Sequence, residues 1–162
     1  MQTIAYWMMG SLAGAQWGEL AVIAPIIMAS ILFFWTQSRV LNLMLLGDES
    51  AITMGTDLHA YRQWYLLISS LIVGFAVYSA GMIGFVGLIV PHVIRMFTGP
   101  DHKRLLPVAA LVGAIFLVVA DGLCRVIIPH TELPIGILIS LIGAPSFIYL
   151  MIKKTYGFGG SD

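Results

Sequence analysis

Hydrophobic residues run for membrane-spanning lengths along this chain, and nearly every charge falls in the gaps between the runs. The first clear run covers residues 17–35, from Trp17 to Trp35, with an amphipathic ring at each end suited to the headgroup level. Pro25 inside it predicts a kink rather than a break, because neighbouring helices can satisfy the carbonyl it frees. A polar stretch follows from Thr36 to Gln63, carrying Arg39, Asp48, Glu49, Asp57, His59 and Arg62, and it must lie outside the bilayer.

From Trp64 to Ile94 there is no charge at all. An unbroken helix of that length would reach roughly 46 Å, more than the hydrocarbon core of roughly 30 Å but less than two spans of about 20 residues each. Two readings compete: one overlong tilted helix, or a span over 64–81 that turns near Ala80 and Gly81 and returns as a shorter one over 82–97. Charge sidedness separates them. With a hairpin, Arg39, Arg62, Arg95, Lys103, Arg104, Lys153 and Lys154 all fall on one side and only Arg125 lies opposite. The positive-inside rule favours that arrangement and makes the crowded side cytoplasmic. Gly81, Gly84 and Gly87 would then supply flexible backbone for the turn and small surfaces for close packing. Pro91 would bend the return helix, Arg95 would anchor its inner end, and His92 reads as a packed, hydrogen-bonding residue rather than a ligand.

Two further runs, 105–127 and 133–152, the second stopped by Lys153 and Lys154, bring the crossings to five. An odd number puts the N-terminus outside and the C-terminus in the cytoplasm. The expected fold class is all-α, a polytopic membrane helix bundle of about five transmembrane helices with short cytoplasmic helices in the polar stretch.

Composition agrees with an integral membrane protein: of 162 residues 59% are hydrophobic and 10% charged, with a mean hydropathy of +0.95. The opening residues, MQTIAYWMMGSLAGAQW, have no basic leader and are broken by Gly10 and Gly14, so they do not read as a signal peptide. The single cysteine, Cys124, permits no intrachain disulfide and reads as a small buried hydrophobe.

Candidate chemistry is sparse. Asp121 and Arg125 stand four residues apart near the outer end of the fourth run and share one helix face. Ionisable residues within a membrane are functional candidates by default, but an i,i+4 pair near the interface can also simply neutralise itself. In the loop over 40–62, Asp48, Glu49 and Ser50 open a short helical pattern, Gly55 offers its stop, and Asp57 can cap a second short helix through His59 and Tyr61. With Leu46, Ile52 and Met54 exposed, this loop reads either as a docking surface or as a well-capped connection. The four histidines, His59, His92, His102 and His130, are scattered over both sides, and no HExxH, CxxC or phosphate-binding glycine loop occurs. Neither catalytic residues, a metal, a cofactor nor a nucleic-acid surface is expected.

Several stretches carry a resemblance. GFVGLIVPHVIRMFTGPDHKRLLP, ADGLCR and ELPIGILISLIGAPSFIYLM, with YWMMGSLAGAQW and LNLMLLGDESAITMG ahead of them in the same order, resemble the closing half of the FecCD-type permeases. These are the membrane subunits of ABC importers for iron chelates, haem and vitamin B12. The resemblance covers nearly the whole chain, so residues 1–162 are expected to form the C-terminal half of such a transmembrane domain. It implies a second permease copy, cytoplasmic ABC ATPases that hydrolyse the ATP, an extracytoplasmic substrate-binding protein, and residence in the bacterial inner membrane. It implies further that Gly47, Asp48, Glu49, Ser50, Ala51 and Gly55 contact the ATPase, and that Arg125 meets an acidic knob on the binding protein. Much of the cavity lining would sit in a missing N-terminal half. The alternative is a truncated, non-transporting membrane module that keeps only the ATPase-docking loop. A membrane-embedded enzyme would need polar residues clustered at mid-membrane depth, and a secondary transporter would have no use for such a loop.

Overall fold

The computed structural model describes residues 9–12, 14–47, 58–127 and 134–156, and among them every regular element is an α-helix. In chain order these are α1 (Trp17–Thr36), α2 (Ser38–Leu45), α3 (Leu58–Ala80), α4 (Val86–Thr98), α5 (His102–Ile127) and α6 (Ile135–Tyr156). Three of them, α1, α3 and α5, are long and apolar enough to cross a bilayer. Their apolar windows are only 6%, 6% and 11% buried, so the hydrophobic side chains face outward, as a lipid or protein environment requires and water forbids. Leu66, Val118 and Leu141 are each at least 70% exposed.

The charge-free run is broken at Gly81. Its N–H bonds the Val77 carbonyl at 2.9 Å and its φ of +73° is open to glycine at little cost, so α3 closes on a left-handed cap. Residues 81–84 are not helical, and α4 starts only at Val86. With 13 residues, α4 is about 20 Å long, shorter than the hydrocarbon core, so the return leg expected over 82–97 is helical only from Val86 onward. Irregular backbone at membrane depth must be covered by protein. Here Ser11 N–H bonds the Ala80 carbonyl at 2.9 Å, and Ile83 and Phe85 pack on the buried cluster of Ala120, Cys124, Ile135 and Ile139.

Close packing expected of Gly84 and Gly87 does not occur there among the described residues: a methyl group on either would meet none of their atoms within 4 Å. The tight approaches fall at Gly136, against the Met9 backbone, at Gly143, against the Phe85 side chain, and at Gly10, against the Ile83 side chain. The reason lies in which helices touch: α4 packs on α5 and α6, whereas α3 packs on α1. Phe85 itself holds φ +63°, a conformation costing about 1–3 kcal/mol in a bulky residue, and it caps α4 while its ring fills the notch at Gly143.

The helices gather at two ends. One holds the cluster just described, with the start of α6 and the end of α5. The other, where α1 and α4 end and α3 and α5 begin, holds Val90, Ile94 and Leu105 together with an aromatic group of Phe33, Phe34, Tyr61 and Tyr65. Arg39, Arg62, Arg95, Lys103 and Arg104 belong to this second, basic end. Helices α3 and α5 begin earlier than the apolar runs that predict them, because Leu58 to Gln63 and His102 to Arg104 contain no helix breaker. For the same reason His59 and Tyr61 lie in the opening turns of α3 and not in a separate short helix. At the other terminus α6 continues to Tyr156, past the lysines expected to stop it.

Candidate functional site

At the basic end, α1 stops at Thr36 and the chain turns through Gln37, whose N–H still bonds the Phe33 carbonyl at 3.1 Å. Helix α2 follows at once, SRVLNLML, with Ser38 buried and Leu45 and Leu46 about half exposed. Gly47, at φ +90°, ends it on an exposed left-handed residue. A short helix of the loop thus lies over 38–45, ahead of the pattern that Asp48, Glu49 and Ser50 would open. Asp48, Glu49, Ser50, Ala51 and Gly55, with Ile52, Met54 and Asp57, lie outside the described residues.

Asn42 ties α2 to the start of α5. Its Nδ2 donates to Asp101 Oδ1 at 2.8 Å, and its Oδ1 accepts from the His102 backbone N–H at 2.9 Å and stands 2.8 Å from His102 Nδ1. The amide has one orientation here: reversed, its NH₂ would face the His102 N–H, donor against donor. His102 Nδ1 therefore carries a proton toward Asn42. Asp101 is also the N-cap of α5, accepting the Lys103 N–H at 3.0 Å. The Asn42 amide, the Lys103 N–H and the nearby Arg104 and Lys103 charges hold its carboxyl below the usual aspartate range. Trp35 adds a third strand to the knot, its indole N–H donating to the Lys103 carbonyl at 3.1 Å. Beside it runs an open groove of about 440 Å³, lined by Arg39, Asn42, Leu43, Leu45, Leu46, Pro100 and Asp101.

His102 stands in the sequence as one of four scattered histidines, and nothing there joins it to Asn42 or Asp101, although two signals were present. Asp101 follows Pro100 and precedes an apolar run, a helix-start pattern, and Asn42 is the only amide in an otherwise leucine-rich helix.

At the opposite end, Arg125 Nε bonds Asp121 Oδ2 at 2.8 Å across one turn of α5. Arg125 is 61% exposed and Asp121 22%, so the pair is screened and worth only about 0.3–0.5 kcal/mol, with the cation also well placed in the last turn. The remaining candidates are spread along the hairpin. Gly81 caps α3, Gly84 and Gly87 stand in open space, and Pro91 sits inside α4, which continues through it. His92 is half-buried on the same helix. Among the described residues no three His, Cys, Asp or Glu side chains gather as a metal site would require.

The bundle defines a polytopic, all-helical membrane protein. The chain belongs to the FecCD transport family, whose family model matches residues 1–153. It is 43% identical to the hemin transport system permease protein HmuU of Yersinia pestis, over 95% of this chain and 46% of that protein. It is 44% identical to the cobalamin import system permease protein BtuC of Halobacterium salinarum, over 90% and 39%. Against the Fe(3+) dicitrate transport system permease protein FecD of Escherichia coli it is 42% identical, over 91% and 46%. The chain therefore spans less than half the length of these curated relatives. A solved structure, described as an inward-facing conformation of a metal-chelate type ABC transporter, superposes with a TM-score of 0.87 at 36% identity, over 94% of this chain and 49% of that one.

Proposed function

We propose that this chain is the C-terminal half of the membrane-spanning subunit of an ABC importer, moving an iron-siderophore-like metal chelate, haem or cobalamin across the bacterial inner membrane by alternating access. The observation that carries this reading is the likeness, along 94% of the chain, to a metal-chelate type ABC transporter. The subunit supplies shape and leverage, and ATP is hydrolysed by partner ATPases. These dock on the loop that follows α2, at Gly47, Asp48, Glu49, Ser50, Ala51 and Gly55. The basic end faces the cytoplasm, together with the C-terminus. Arg125 meets a substrate-binding protein outside, a second permease copy completes the pore, and an N-terminal half supplies the remaining spans.

The test is a double substitution, Gly47→Val with Glu49→Ala, in the transporter assembled with its ATPase and binding protein. A branched residue at φ +90° and the loss of the acid should disrupt the dock without touching a span. Membrane insertion is expected to be unchanged, and uptake per ATP hydrolysed should fall on the order of tenfold, the scale of a typical coupling free energy. Full uptake in the double variant would sink the assignment.

A further inference from the structure

An eight-residue helix is too short to hold its place by its own hydrogen bonds. Helix α2 is nevertheless fixed at two points. Gln37 joins it to α1 with a single non-helical residue, and Asn42 joins it to α5 with both ends of its amide. The second joint is unusual in where its partners lie. Asp101 and His102 are the cap and first residue of α5, so the bonds grip the helix end itself and not a loop that could slide over it.

We propose that the contact of Asn42 with Asp101 and His102 is a rigid joint that makes α2 and α5 move as one body, so that a push on the loop reaches the transmembrane helices through α5. Asn42 is a positioning residue in this scheme and touches neither substrate nor ATPase. Helix α5 is the right recipient, since it packs against α1, α4 and α6 as well as α2, whereas α3, at the loop's other end, packs on α1. The route onward runs from Leu105, three residues past His102, into the buried group of Val90 and Ile94 on α4. Trp35, on Lys103 O, keeps the end of α1 on the same assembly.

The joint rests on the reading of this loop as the ATPase dock, and one experiment separates the two. Asn42→Asp sets two carboxylates against each other, while Asn42→Asp combined with Asp101→Asn restores one donor and one acceptor with their direction reversed, and keeps an N-cap at 101. Each variant is reconstituted in the full transporter, and three quantities are read: ATPase retained in the complex, ATP hydrolysed, and uptake per ATP. In Asn42→Asp the ATPase should stay bound and active while uptake per ATP drops on the order of tenfold; the exchanged pair should recover to within about twofold. Equal impairment of the single and exchanged variants, or unchanged uptake per ATP in Asn42→Asp, would overturn the joint alone. A wild-type complex that holds no ATPase would overturn the docking reading, and the joint with it.

Discussion

Gly136 has no room for a methyl group. An added Cβ would run into the carbonyl of Met9, and main chain cannot swing aside as a side-chain tip can. Gly87 offers the opposite case, since it is helical and no atom of the described residues beyond its own helix lies within 4 Å of the position a Cβ would take. Gly136→Ala should therefore destabilise by about 1–3 kcal/mol, as overpacking does, while Gly87→Ala should be neutral or stabilise by about 0.5–1 kcal/mol through its better helix propensity. Thermal unfolding of the detergent-solubilised protein reads both, and equal midpoints for the two variants would contradict this account. The contrast also shows what residue identity reveals. A glycine next to a predicted turn is visible in sequence, as Gly81 is, because the turn itself demands a left-handed residue. Which glycine admits a neighbouring backbone depends on helices far apart in the chain, and Gly136 and Gly143 give no local sign of it.

Between elements, charge asymmetry across a long apolar run pointed to a turn near Gly81, and α3 ends at Ala80. The lengths of the apolar runs also carried the all-helical class. What local pattern missed was the joint between α2 and α5, whose partners stand 59 and 60 residues apart. Asp101 gives that joint a definite pH signature. Its carboxyl is held low, first by the Asn42 amide and then by the Lys103 N–H, with Arg104 and Lys103 nearby. A depressed folded value means the stabilisation is fully present above the unfolded aspartate value and is lost as pH falls through the folded one. The difference in unfolding midpoint between the native protein and Asp101→Ala should thus shrink as pH falls from about 5 through the aspartate range, while any change between about pH 8 and 5 reports His102, whose charged form is disfavoured by burial and by Arg95 and favoured by Asp101. A difference that persists undiminished to about pH 2 would show that the Asp101 carboxylate does not carry the joint.

For the molecule as a whole, the two ends differ in kind, and the difference fixes a direction. One end collects Arg39, Arg62, Arg95, Lys103 and Arg104 around the α2 joint, while the far end, closed by an apolar cluster, exposes Arg125. Loops rich in Lys and Arg stay in the cytoplasm, so the basic end should face inward and Arg125 outward. Labelling can decide this with little background. The chain's one cysteine, Cys124, is 4% exposed in that cluster, and Cys124→Ser, a near-isosteric change, leaves a chain without thiols. Single cysteines are then placed by Arg125→Cys, Arg39→Cys and Lys103→Cys, all at exposed positions. In intact cells whose outer layers admit the reagent, a membrane-impermeant maleimide should modify Arg125→Cys alone, with Arg39→Cys and Lys103→Cys reacting only after the inner membrane is opened. The opposite pattern would reverse the topology and move the loop after α2 out of reach of any cytoplasmic ATPase. Labelling of Arg39→Cys and Arg125→Cys from the same side would contradict the arrangement of the helices, since α5 runs about 39 Å between the end that holds Asn42 and the end that carries Arg125.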